Sequence, residues 1–160
     1  MTGPAPSVTL CGQSVPCQHV CAFVSSTDEQ YRILNPYFRE GLEAGESLVT
    51  IVEADFHDEH LERMRAGGDA DWVLRNLQTT DELMAYEAKV NLLAPQYDCS
   101  LLCVYNVNAC SGQVVADALA THSHVVLGEQ VRANPFYVEP LDFLKSVALR
   151  RTHPAPIRAA

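Results

Sequence analysis

The sequence predicts an α/β domain: a mostly parallel sheet of about four to five strands flanked by helices. Short, apolar, β-branched runs alternate with helical patterns of ten or more residues, the signature of strand–helix–strand units. Side-chain caps stand at the helix starts. The chain has 160 residues, 48% hydrophobic and 19% charged, which suits one domain with a core of its own.

Taken in order, residues 1–17 carry prolines, glycines and no charge, and read as a flexible arm. The domain follows over 18–150. His19–Val24 is a buried strand. Ser26-Thr27-Asp28-Glu29 is a capping box with Ser26 at the N-cap and Glu29 at N3. Its helix presents Tyr31, Leu34, Phe38 and Leu42 on one face, contains Pro36 and closes at Gly45. Ser47–Glu53 is a second buried strand, Glu59–Arg65 a short helix, and Trp72–Leu77 a helical turn. Thr79-x-x-Glu82 opens another helix, with Leu83, Tyr86, Val90 and Leu93 inward and Pro95 at its end. Cys99–Tyr105 is the third strand. Ser111 caps a helix through about Thr121. Val125–Leu127 is a fourth strand, and Gly128 to Arg132 turn into a fifth. Leu141, Leu144 and Ala148 mark the inner face of a last helix. The tail, 151–160, carries two further prolines and reads as flexible.

The charge balance is 11 basic against 20 acidic residues, a net −9. Only Lys145, Arg150, Arg151 and Arg158 cluster, so direct nucleic-acid binding is not expected. No apolar run approaches the roughly 18 residues of a membrane span, and the first residues lack a basic and apolar leader. A cytoplasmic setting is expected. There the six cysteines would be reduced, not paired.

The loop after the first strand sits where a phosphate-binding loop would sit, in an order that resembles the first unit of RecA/KaiC-like ATPases. The residues are Phe23-Val24-Ser25-Ser26-Thr27-Asp28-Glu29, with no glycine and no lysine; the first lysine of the chain is Lys89. ATP hydrolysis needs that positive clamp, so no enzyme activity and no cofactor are expected. A colinear set of segments carries a closer resemblance: His19-Val20-Cys21-Ala22-Phe23, Gly41–Ser47, His60–Gly67, Met84–Asn91, Leu102–Asn106, Thr121–His124 and Asn134–Tyr137. Together they resemble the MEDS family, the sensory domains of the DcmR type. That resemblance implies a RecA-like fold with a degenerate P-loop, used for sensing beside kinases, transcription regulators or sigma-factor systems, with a small hydrocarbon-type ligand. The chain departs from the pattern at Tyr105-Asn106, where Tyr-Asp is usual, and at His122-Ser123, where His-Pro is usual. It also lacks two strands between Leu77 and Leu83. The shortened middle implies a smaller sheet and an uncovered apolar face around Trp72–Tyr86, hence a homodimer.

The candidate ligand-binding residues are His19, Cys21, Ser25, Ser26, Tyr105, His122, Asn134 and Tyr137. Ser25 and Ser26 lie at the carboxyl end of the first strand, where ligands of open α/β sheets gather; His19 lies at the opposite end. Cys110, just before a helix N-terminus, is the candidate reactive thiol. No metal site is expected. Cys11, Cys17, His19 and Cys21 fit no common zinc spacing, Cys99 and Cys103 read as core, and His122-x-His124 would need an acid such as Glu53 or Asp55. The alternatives to a sensor are a pure protein-interaction module and a Cys/His-dependent redox or metal protein.

Overall fold

The computed structural model describes residues 8–43, 45, 80–97 and 99–152. The strand at Ser47–Glu53, the helix at Glu59–Arg65, the turn at Trp72–Leu77, Thr79 and the tail beyond Thr152 lie outside the described residues.

The described elements are β1 (Val8–Leu10), β2 (Gln13–Val15), β3 (His19–Val24), α1 (Thr27–Glu43), α2 (Thr80–Leu93), a short 3-10 turn (Ala94–Gln96), β4 (Leu101–Asn106), α3 (Gly112–Thr121), β5 (His124–Leu127), β6 (Gln130–Ala133) and α4 (Pro140–Thr152). Among the described residues, four strands form one sheet in the order β4–β3–β5–β6. β3 runs parallel to β4 and to β5, and β6 returns antiparallel to β5. The expected mostly parallel sheet flanked by helices is present. All six residues of β3 are buried, the apolar-run signature of a central parallel strand covered on both faces.

Alternation along β3 sorts the two faces. His19, Cys21 and Phe23 look toward α2, α3 and α4, where Met84, Ala88, Ala118, Phe143 and Val147 close the core. Their register partners include Cys103 and Tyr105 of β4, which join the same layer. Val20, Ala22 and Val24 look the other way, onto Ile33 of α1 and onto Leu10 and Val15.

Those last two residues belong to the stretch read from sequence as an arm. Residues 8–15 form an antiparallel hairpin, with Cys11 and Gly12 both at positive φ, 51° and 70°. That pair of dihedrals is the tight turn whose twist matches the flanking strands. Leu10 is only 2% exposed, so the hairpin is a lid on the apolar face.

The helix caps follow the sequence with one change. Ser26 Oγ accepts from Glu29 N at 3.2 Å, as the capping box requires. The Glu29 carboxylate, however, takes Ser25 N and Ser25 Oγ at 2.7 and 2.8 Å. Ser111 caps α3 through Val114 N at 3.3 Å, and Gly45 N closes α1 on Leu42 O at 2.9 Å.

Three inward faces differ from expectation. On α1, Tyr31, Ile33, Leu34 and Phe38 are buried, and Leu42 is exposed. On α2 the buried stripe is Met84, Glu87, Ala88 and Val90; Tyr86 and Leu93 are exposed. On α4 the buried residues are Pro140, Phe143 and Val147, while Leu141 is exposed. The C-terminal basic cluster is largely spent on acids. Arg150 grips Asp117 of α3 through two bonds of 2.8 and 2.9 Å, Arg150 and Arg151 both reach Asp81 of α2, and Lys145 bonds Asp142. Among the described residues, no helix is long and apolar enough to cross a membrane.

Leu10→Ala is expected to cost about 2–4 kcal/mol in urea unfolding, the loss typical of a fully buried leucine. A loss below about 0.5 kcal/mol, typical of an exposed site, would show the hairpin to be an undocked arm.

Candidate functional site

Four elements converge under α2, at the amino-terminal half of the sheet. β3 contributes His19 and β4 contributes Cys103. α2 contributes Glu87, with Asn91 one turn further on the same face. His122 caps the carboxyl end of α3, with Ser123 between it and β5. The carboxylate oxygen Glu87 Oε2 is their common neighbour. It lies 2.9 Å from His19 Nε2, 3.3 Å from Cys103 Sγ and 3.7 Å from His122 Nε2. His19 Nε2 is also 3.3 Å from Cys103 Sγ, and the two imidazoles lie 4.1 Å apart between centroids. His19, Glu87 and His122 are all buried.

The tautomers follow from the outer partners. Asn91 Nδ2 donates to Thr121 O at 2.6 Å and Glu87 O at 3.3 Å. That fixes its amide, so Oδ1 faces His19 Nδ1 at 3.1 Å and can only accept. His19 therefore carries a proton on Nδ1, and Nε2 faces the carboxylate. A nitrogen lone pair and a carboxylate oxygen at 2.9 Å repel, so that contact requires a proton or another cation between them. His122 Nδ1 donates to Ala118 O at 2.8 Å, which leaves Nε2 as the bare nitrogen. His122 Nε2 is buried and has no hydrogen-bond partner. A buried unsatisfied group of this kind costs about 1–3 kcal/mol.

The electrostatics agree with this assignment. Burial first, and then the neighbouring His19, hold His122 down to about 4, against the opposing pull of Glu87 and the Ala118 carbonyl, so its ring is neutral at pH 7. Burial raises the Glu87 carboxyl most strongly. The hydrogen bond from His19, with smaller contributions from the neighbouring His122 and the Cys103 thiol, outweighs it, and the group ends below its ordinary value. Burial and then Glu87 push Cys103 well up, push Cys21 to about 12, and push Tyr105 up as well. Tyr105 Oη donates to the other carboxylate oxygen, Glu87 Oε1, at 3.0 Å.

Of the residues singled out in the sequence, the structure brings His19, Tyr105 and His122 together, with Cys21 in the same layer. It does not gather the others there. Ser25 and Ser26 are exposed at the carboxyl end of β3, engaged with Glu29. Asn134 is buried, and its amide donates to Leu119 O and His122 O at 2.6 and 2.7 Å. It thereby fastens the α3 terminus behind His122. Tyr137 is half-buried in the turn that follows, and Phe136 is 67% exposed. Cys110 packs half-buried beside the core under α3. Cys99 precedes β4 and is exposed, so it does not share a strand face with Cys103. His124 meets Ser123 Oγ; Glu53 and Asp55 lie outside the described residues.

Glu87 and Asn91 join the site without having been singled out, and Cys103, read from sequence as core packing, joins it as well. Glu87 and Asn91 stood inside the segment Met84–Asn91, and the available signal was their i, i+4 spacing on a helix whose inner face is otherwise apolar. An open pocket of about 240 Å³ leads toward the cluster, lined by Pro16, Cys17, Gln18, His19, Asn91, Ala94, Pro95 and Ser123.

The described residues thus combine a mostly parallel α/β sheet with a buried polar cluster beneath one helix. Residues 18–76 and 54–123 match the model of the MEDS family, the MEthanogen/methylotroph, DcmR Sensory domain, and the chain belongs to that family. No curated protein and no solved structure matches the chain.

Removing one member of the cluster should leave the rest uncompensated. Glu87→Ala is expected to destabilise the chain by about 3–5 kcal/mol, and Tyr105→Phe by about 1.5–3 kcal/mol, as for a lost bond to a charged group. Chemical denaturation of both variants checks this, and equal, negligible losses would show that Glu87 is not the buried hub.

Proposed function

We propose that the chain is a non-catalytic sensory domain on a reduced, RecA-like frame with a degenerate P-loop. It binds a small apolar or one-carbon-type molecule and passes its state to a regulatory protein: a kinase, a transcription regulator or a sigma-factor system. The observation that carries this reading is the family match, set beside a polar cluster that opens on the pocket at Pro16, Cys17, His19, Asn91, Ala94 and Ser123. Pocket and cluster share His19 and Asn91, so a molecule seated outside would bear on the bonds that hold α2 to the sheet. The loop Ser25–Asp28 has no group able to neutralise a triphosphate, which supports signalling over hydrolysis. Self-association as a homodimer belongs to the same reading. The exposed Leu92, Leu93 and Tyr97 at the end of α2 support an apolar contact there, and sedimentation velocity at micromolar concentration tests it.

A thermal-shift panel of short alcohols, halogenated methanes and other one-carbon compounds tests the ligand. A binder raises the melting temperature with concentration, by mass action on the folded state. The shift should vanish in Ser123→Leu, which fills the pocket mouth. A panel without any shift would favour the interaction-module reading. In the same preparations, ATP turnover should not exceed that of a mock purification; measurable hydrolysis abolished by a variant of the chain would overturn the non-catalytic assignment.

A further inference from the structure

We propose that His19, Glu87, Cys103 and His122 are the four ligands of a buried, zinc-type metal ion. The inference stands on the geometry of these side chains and does not depend on the sensory reading. Their donor atoms all lie within 4.8 Å of one another, and the measured separations around Glu87 Oε2 and His19 Nε2 run from 2.9 to 3.7 Å. A tetrahedral set at the usual zinc distances of about 2.0–2.3 Å has its donors about 3.3–3.8 Å apart, so small rotamer adjustments suffice.

Three further observations point to a cation at this place. His122 Nε2 is a fully buried nitrogen, turned into the cluster, with no hydrogen-bond partner. A proton between His19 and Glu87 satisfies that pair and leaves His122 unsatisfied, whereas a metal ion satisfies all four donors at once. Each ring and the carboxylate is held from behind: His19 by Asn91 Oδ1, His122 by Ala118 O, and Glu87 by Tyr105 Oη. Partners of that kind fix the tautomer and aim of metal-binding histidines and carboxylates. The charges also close, since one carboxylate and one thiolate neutralise a divalent ion, and two neutral imidazoles complete the shell without adding charge.

The donor chemistry selects the ion. Two imidazoles and a thiolate suit zinc, while calcium and magnesium demand oxygen. With four protein ligands the site is closed, the form taken by structural metals and not by hydrolytic ones. Such an ion would pin α2 to β3, β4 and the end of α3. The pocket at His19 and Asn91 is its route of entry and removal.

Cobalt(II) titration of the full chain, after chelator treatment, tests the proposal. The expected result is one cobalt per chain, with tetrahedral d–d absorption, a thiolate-to-cobalt charge-transfer band in the near ultraviolet, and displacement of both by zinc. Cys103→Ser should abolish the charge-transfer band, and Cys17→Ser and Cys110→Ser should keep it. Asn91→Ala leaves every ligand in place and should weaken cobalt binding about 10–100-fold, as loss of an orienting partner does. If Cys103→Ser does not fold, X-ray absorption of the zinc-loaded wild-type chain decides: one sulfur and three nitrogen or oxygen neighbours support the site, and two or more sulfurs refute it. A wild-type chain that is folded by circular dichroism yet takes up no cobalt also overturns the proposal, as does a band lost in Cys17→Ser and kept in Cys103→Ser.

Discussion

Glu87 is a carboxylate at 4% exposure, and a charge so placed must be compensated on both oxygens or it would unfold the helix that carries it. Its compensation comes from every direction. Oε1 takes the Tyr105 hydroxyl, and Oε2 faces His19, Cys103 and His122. These partners come from β3, β4 and the α3–β5 junction, so satisfying one carboxylate fixes the position of α2 against three other elements. Asn91 then repeats the arrangement one turn along, joining α2 to Thr121 and to His19. The register of α2 on the sheet is set by polar geometry, which tolerates far less sliding than apolar contact alone.

The two faces of the sheet are consequently held by different physics. The face under the hairpin and α1 is apolar, with Leu10, Val15, Val20, Val24 and Ile33 buried together. It is stabilised by area removed from water and tolerates small shifts. The opposite face has an apolar half at Phe23, Phe143 and Val147 and a polar half at the cluster. Around its rim, Arg150 clasps Asp117 and reaches Asp81, so α2, α3 and α4 are tied at the surface as well as inside. Asn134 closes the remaining gap by capping the Leu119 and His122 carbonyls, which holds the His122 backbone while Ala118 holds its ring.

Much of the frame was legible in the sequence, because caps and apolar runs are local. Ser26 and Ser111 cap where the sequence places them, and β3, β4 and β5 lie within one or two residues of their apolar runs. The faces of α2 and α4 were not legible. Periodicity assumes an apolar inner stripe, and on α2 that stripe contains Glu87 and Asn91, which pushes Tyr86 and Leu93 out. The hairpin at 8–15 was hidden for the opposite reason: without charge contrast, three-residue strands leave little pattern, and the Cys11-Gly12 turn is the one local clue. The site was half legible. His19, Tyr105 and His122 stand out by chemistry, but Cys103 lies 84 positions from His19 and meets it only through the parallel register of β3 and β4. Spacing rules for metal or catalytic residues work along one chain segment and are blind to such pairing.

The position of the cluster also bears on how the fold is used. In open parallel sheets ligands gather at the carboxyl ends of the strands, where helix N-termini and loops converge. Here that end carries the loop Ser25–Thr27, exposed and closed on itself by Glu29. The buried polar cluster lies instead at the amino-terminal half of β3 and at the α3–β5 junction, beneath a helix that supplies both an acid and an amide. The polar groups of this arrangement are spent on one another, and His19 and Asn91 also line a pocket beside it. On the sensory reading proposed above, coupling would arise here: a group held at the Nε2 atoms of His19 and His122 bears on the same carboxylate that positions α2. Occupancy at that point and the placement of α2 are therefore linked quantities, and by reciprocity a partner that grips α2 would change what the cluster holds.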